Sequence, residues 1–255
     1  MTLEALIFDV DGTIADTEEA HRRAFNDAFA DFGFEWRWDR ALYKELLKTG
    51  GGKQRIRHYI EIRRADGFIE PGLGDKIADL HKRKTELYGR RLDSGAVPLR
   101  PGVERLIRQA HNEGTRLAIA TTTSRVNVTG LFAATMGQAA LDWFEVIGSG
   151  EWVADMKPSP EIYLLVLEKM ALAPAACLAL EDSANGLKAA LSAGVATVAT
   201  PATYTVDDDF SGARAVISDF GEHSRPFRIL AGDAYAKTFA DMELLRLWHG
   251  QAQWR

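Results

Sequence analysis

At 255 residues, 46% hydrophobic and 26% charged, the chain is long enough for a sizeable core and has the composition of a globular protein. No stretch approaches the roughly 18 consecutive apolar residues of a membrane span, and a single cysteine, Cys177, excludes an internal disulfide framework. The net charge of −5 is unevenly spread: residues 17–92 hold 17 of the 31 Lys and Arg but 13 of the 36 Asp and Glu, leaving +4 there and −9 elsewhere. A basic segment within an acidic chain predicts a small anionic ligand. Its interspersed acids, and the lack of any DNA-binding motif, argue against nucleic acid.

The chain starts at once with a strand pattern, "LEALIFD", so no cleaved leader is expected. Residues 16–32 read as a helix, with Asp16 as N-cap and Glu19 at capping-box spacing. The pattern stays helical to about residue 92, with breaks at "TGGG" and "EPGLG". "RPG" at 100–102 opens a helix to about 113, the strand "RLAIAT" follows, and Ser124 starts another helix. "FEVIGSG" reads as a strand and turn, and "SPEIYLLVLEKM" as a helix with Ser159 as N-cap and Pro160 at its first position. "CLALED" is a strand holding Cys177, which reads as a buried thiol in a reducing cytoplasm. The helix "SANGLKAALSAG" and the strand "ATVAT" come next, and residues 225–255, with Trp248 and Trp254, read as a helical tail on the body. Strands alternating with helices predict an α/β fold, a doubly wound parallel sheet. The domains expected are a core of 1–16 with 93–224 and a helical insert at 17–92.

"LIFDVDGT" poses a chemical problem, because a buried strand ends in Asp9 and Asp11 and unpaired buried charge is costly. In parallel sheets ligands gather at the carboxyl ends of strands. There this chain places Asp9 and Asp11, then Thr121, Thr122, Thr123 and Ser124, then Lys157, then Glu181 with Asp182. Such a set balances only if a cation joins it. Hard oxygen ligands without a Cys/His cluster favour Mg²⁺ over zinc.

These residues resemble a known family. "DVDGT", a hydroxyl after the second strand, "KPSP" and "EDS" match in order the four motifs of the haloacid dehalogenase superfamily of phosphohydrolases, whose core is Rossmann-like, and residues 17–92 resemble its helical cap. The resemblance implies that Asp9 attacks phosphorus to form an aspartyl-phosphate and that Asp11 serves as acid, then base. It also implies that Thr121 and Lys157 hold the transferring group. Metal ligands would be Asp9, the Asp11 carbonyl and Asp182, with Glu181 acting through water. Apart from any such role, Thr13 could cap the turn after Gly12 without touching substrate.

Within the superfamily the chain most resembles the CbbY type, close to the β-phosphoglucomutase branch, through "DTEEAHRRAFN", "YKELLKTGGGKQRI" and "HKRKTELY". CbbY-type proteins are xylulose-1,5-bisphosphate phosphatases that remove a by-product of Rubisco, which implies a Calvin-cycle role in the cytoplasm. A β-phosphoglucomutase, a phosphoglycolate phosphatase and a catalytically silent phosphosugar-binding module stay open. "TGGGK" exposes backbone N–H groups of Gly51 and Gly52 and sets Lys53 at a helix start, an anion site by geometry. On the following helix Ile77, Leu80, Leu87 and Tyr88 trace one face, which His81 and Lys84 share. Lys53, His81 and Lys84, with Arg55, would grip the phosphate remote from the reaction, although Lys84 could instead snorkel to solvent. Glu18 and Tyr43 match positions that contact sugar hydroxyls, and Glu18 could equally serve the helix dipole. His21 reads either as a hinge residue or as packing. Thr122 and Ser124 complete the substrate set. The implied partner is a small phosphorylated sugar, with no nucleic acid and no membrane, bound by a monomer.

Overall fold

The computed structural model describes residues 2–65 and 72–251, so Trp254 and the "EP" of the second break lie outside the described residues. The chain divides into two compact units, one running up to Asp16 and again from Pro98, the other spanning Thr17–Val97.

The first unit opens with β1 (Ala5–Phe8), buried throughout. Such an unbroken apolar run suits a strand covered on both faces. The second unit contributes α1 (Glu18–Asp31), α2 (Arg40–Leu46), α3 (Gly52–Ala65) and α4 (Leu73–Asp93). The first unit then continues through α5 (Val103–Asn112), β2 (Arg116–Ala120), α6 (Arg125–Thr135), β3 (Phe144–Gly148), α7 (Glu161–Met170), β4 (Cys177–Glu181), α8 (Ala184–Ser192) and β5 (Ala196–Ala199). It ends with β6 (Ala215–Ile217), β7 (Ile229–Ala231) and α9 (Met242–Gly250).

The strands form one sheet in the order β3-β2-β1-β4-β5-β6-β7, parallel except for the antiparallel pair β6–β7. β1 is the hub, with Phe8 in register with Ile119 on one side and Leu180 on the other. The chain steps out from β1 to β2 and β3, then crosses back to β4. That reversal marks the topological switch point, where doubly wound sheets hold ligands. One sheet face is lined by small residues, Ala5, Ala118, Ala120 and Ala179, against which α7 packs Ile162, Tyr163, Val166 and Met170. Cys177 lies in this core, and burial pushes its thiol pKa up to about 11. The predicted α/β fold with a parallel sheet is the observed one.

The second unit has an aromatic core. Phe25 and Phe29 of α1 lie 4.7 and 4.9 Å from Trp38, and Tyr59 of α3 stands edge-on to Trp38 at 5.4 Å. The Asn26 amide clamps the Trp38 backbone, donating to its carbonyl at 2.9 Å and accepting from its N–H at 2.8 Å.

Several local expectations are corrected. Asp16 is not the cap of α1: Thr17 holds that position without a side-chain cap bond, while Asp16 Oδ2 accepts from the Thr203 hydroxyl. Glu19 turns to Arg22 and Arg23 instead of closing a capping box. The cap of α7 is Pro160, one residue later than predicted, although Ser159 Oγ still accepts from Glu161 N. The tail is not wholly helical, since β7 pairs along the edge of β6 before α9 begins. On α4 the buried stripe is Leu73, Ile77, Leu80, Lys84, Tyr88 and Leu92; Leu87 falls off it.

Candidate active site

Asp9 stands one residue past β1, where its N–H donates to Leu180 O at 3.0 Å and carries the ladder to the strand's very tip. The next residues turn back sharply, with Gly12 N donating to Ala15 O at 2.8 Å and Ile14 N to Val10 O at 2.9 Å. Gly12 takes φ +91°, a left-handed conformation that glycine adopts without steric cost. A Cβ there would stand 2.0 Å from Asp182 Oδ2, so the turn and the β4 end fit only around a bare Cα. Asp11 is half-buried on this turn. The Thr13 hydroxyl is buried with no hydrogen bond among the described residues, so it does not cap the turn as expected.

Lys157 reaches the same place from the loop before α7. Its buried ammonium donates to Asp9 Oδ1 at 2.7 Å, Glu181 Oε1 at 2.7 Å and Ala120 O at 2.8 Å, committing all three of its protons. Three strand ends thereby converge on one cation. Burial alone would lower the pKa of Lys157, but Asp9 and Glu181 hold it above its ordinary value. Tyr163 donates to Glu181 Oε1 at 2.5 Å, and Thr205 to Asp182 Oδ2 at 3.1 Å.

The acids outnumber this cation. Burial pushes the Asp9 carboxyl up to about 7; Lys157 opposes that rise, while Glu181 and Asp11 add to it. Burial, then Asp9 and Glu181, likewise hold Asp182 well above the usual carboxylate range. Ligand oxygens of Asp9, Glu181 and Asp182 lie within 4.8 Å of one another, and Glu181 Oε2 is buried without a hydrogen bond among the described residues. Crowded, dehydrated, all-oxygen donors that resist ionisation suit a hard divalent cation. The donor set fits such an ion.

Beyond β2, Thr121 is buried; its N–H donates to Gly148 O at 3.0 Å, and its hydroxyl accepts from Thr123 N at 3.2 Å. Thr122 is half-buried, and Ser124 caps α6 by accepting from Asn127 N. Two contributors escaped the sequence reading. Tyr163 looks like one more apolar residue of α7, and Arg100 like no more than the opening of a helix, yet Arg100 donates to Gly12 O beside the acids.

The basic residues of the second unit also gather. Lys84 is buried, with its ammonium 2.9 Å from His21 Nδ1 and 4.9 Å from the centre of the Phe25 ring, so it does not snorkel. His21 stacks on Tyr88 at 3.8 Å. Tyr43 donates to Glu18 Oε2 at 2.7 Å and accepts from Arg55 at 3.1 Å. A Cβ on Gly52 would stand 2.4 Å from His81 Nε2, so the imidazole lies directly on the glycine backbone at the start of α3. Gly51 precedes it at φ +83°, and Lys53 is exposed. Burial first, then the charges of Lys84, Lys53, His21 and Arg55, push the His81 pKa down to about 4.

A parallel sheet with carboxylates and a buried lysine at its switch point defines a hydrolase of the haloacid dehalogenase type. The model for that family, haloacid dehalogenase-like hydrolase, matches residues 3–194. Protein CbbY of Rhodobacter capsulatus is 52% identical over 86% of this chain and 94% of its own length. The plasmid-borne CbbY of Cupriavidus necator is 44% identical over 97% of each. A crystal structure of a CbbY variant from Rhodobacter sphaeroides in complex with xylulose-(1,5)bisphosphate matches with a TM-score of 0.80 and 44% identity, over 87% of this chain and 96% of that one. The chain belongs to the haloacid dehalogenase-like hydrolases and, within them, to the CbbY proteins; it is a sugar phosphatase. No described helix is long and apolar enough to cross a membrane.

Proposed function

We propose that the protein is a magnesium-dependent sugar bisphosphate phosphatase that hydrolyses xylulose 1,5-bisphosphate through an aspartyl-phosphate. The observation that carries this reading is the group of cations in the second unit: Lys53, Arg55 and Lys84 bring their positive charge to bear on His81, while Lys157 lies among the acids of the sheet. A bisphosphate needs an anion site besides the reacting one, and the xylulose bisphosphate bound to the related CbbY supports the choice.

Asp9 is the nucleophile. One of its oxygens attacks phosphorus as the bond to the sugar oxygen breaks, and Asp11 protonates that leaving oxygen. Asp11 then takes a proton from the water that attacks the aspartyl-phosphate, releasing phosphate and restoring Asp9. Lys157 opposes the rise in the Asp9 pKa and so favours its ionised form, and it offsets charge on the transferring group. Thr121, with Thr122 and Ser124, holds the phosphoryl oxygens. Asp9, Asp182 and the Asp11 carbonyl, with Glu181 behind, would hold a magnesium ion, which would supply positive charge against the reacting phosphate. The unit Thr17–Val97 acts as the cap. Lys53, Arg55, His81 and Lys84, with Gly51 and Gly52, hold the second phosphate, while Glu18 and Tyr43 meet sugar hydroxyls.

Parallel incubation with xylulose 1,5-bisphosphate, β-glucose 1-phosphate and phosphoglycolate, each with magnesium, tests the reading. Preferential release of phosphate from the bisphosphate is expected. Glucose 6-phosphate accumulating from the second substrate would show a mutase. Three esters left intact would show a silent binding module.

A further inference from the structure

Arg100 lies just inside the first unit, where Leu99 pairs with Ala15 and the N–H of Arg100 donates to Ile14 O at 2.9 Å. Its guanidinium is spread over backbone carbonyls. One terminal nitrogen donates to Gly12 O, to Thr200 O at 2.5 Å and to Thr200 Oγ1 at 3.0 Å. The other donates to Pro201 O at 2.9 Å and Ser218 O at 2.7 Å. None of these bonds goes to a carboxylate. The cationic charge is left to act on Asp182, Asp16 and Asp219 across space.

Of the two segments gripped by one nitrogen, the first carries Asp9 and Asp11 and the second is bonded to the strand end that carries Glu181 and Asp182. Gly12 follows Asp9 and Asp11, and its Cα rests against the Asp182 carboxylate. Thr200 N donates to Glu181 O at 2.7 Å, which ties the β5 end to the acids of β4. Carboxylates this close repel one another and would part if their backbones were free to move.

We infer that Arg100 is a positioning residue for phosphoryl transfer: by clasping Gly12 to Thr200 it fixes the spacing between the Asp9–Asp11 turn and the Glu181–Asp182 pair. The inference rests on the reading of those acids as the reacting centre. Lysine cannot replace it, because a compact ammonium lacks the planar fork that reaches four carbonyls at once.

The test compares wild type with R100M and R100K. The readouts are kcat and KM for xylulose 1,5-bisphosphate, the magnesium concentration giving half-maximal turnover, and the rise in melting temperature on adding magnesium alone. Partners that support metal ligands typically matter by about 10–100-fold. R100M should therefore lose about tenfold or more in kcat, need about tenfold more magnesium and gain less thermal protection from it, with KM little changed; R100K should fall between. If R100M does not fold, R100K decides. A kcat and magnesium requirement like wild type in either variant, with only the melting temperature lowered, would overturn the inference. A wild-type protein indifferent to magnesium would overturn the parent reading instead, and this one with it.

Discussion

Gly12 and Asp182 meet so closely that a Cβ on the glycine would stand 2.0 Å from Asp182 Oδ2. Gly12→Ala therefore carries two penalties. The left-handed φ of +91° costs about 1–3 kcal/mol in a residue with a Cβ, and the new methyl drives the Asp182 carboxylate off its position. A displacement of about 1 Å at a reacting centre costs on the order of 100-fold. Turnover at saturating magnesium should drop by about that factor, with a lower urea midpoint. A G12A protein that turns over like wild type would show that Asp182 does not need its present place.

The raised Asp9 carboxyl gives the metal-free protein a pH signature of definite sign. Its pKa rises on folding from 3.8 to about 7, so between those values the folded state keeps a proton that the unfolded chain has released. Stability from this residue falls as pH rises through that window; the penalty is complete above it and absent below it. Asp9→Asn removes the titration. With EDTA present, the unfolding free energy of D9N relative to wild type should increase from about pH 4 to pH 7, and magnesium should stabilise wild type most at the upper end. A difference that stays flat across the window would count against the charge crowding described above.

Much of this architecture was legible in the chain. Apolar runs such as "ALIF" and "CLALE" declare buried parallel strands, and the acids, hydroxyls and lysine that follow them declare the site, because each is local to one strand end. What escaped notice depends on partners remote in sequence. Arg100 reads only as the opening of a helix because its acceptors lie 88 to 118 positions away, and no periodicity records them. Asp16 reads as a helix cap by spacing alone, yet a threonine 187 positions on captures its carboxylate and the cap passes to Thr17. Lys84 was legible as a charge on an apolar stripe, but its contact with His21 joins two helices and could not be read from either.

Lys84 gives a prediction specific to the second phosphate. Its ammonium is buried between His21 and the Phe25 and Tyr88 rings, and we expect it to meet the anion of the substrate there. Methionine conserves most of the volume, so K84M should fold. A hydrogen bond to a charged group is worth about 1.5–3 kcal/mol, so KM for xylulose 1,5-bisphosphate should rise ~10–100-fold while small monophosphates are hydrolysed as before. An equal loss on mono- and bisphosphates would move Lys84 out of the distal site.

His81 reports directly on whether an anion settles among these cations. In the free protein burial and the neighbouring Lys84 and Lys53 hold its pKa at about 4, so it is neutral at ordinary pH, with Nε2 against the Gly52 backbone. A phosphate dianion bound there reverses the local field and favours the protonated ring. Histidine resonances of the D9N protein, which should bind without turnover, should place the His81 midpoint near 4 alone and move it up toward the ordinary 6.5 with saturating xylulose 1,5-bisphosphate. Inorganic phosphate offers the same charge without the sugar, and a smaller shift with it would separate plain anion attraction from recognition of the whole substrate. A His81 midpoint that ignores the bisphosphate would mean that the second phosphate lies elsewhere, whatever the preference seen in turnover.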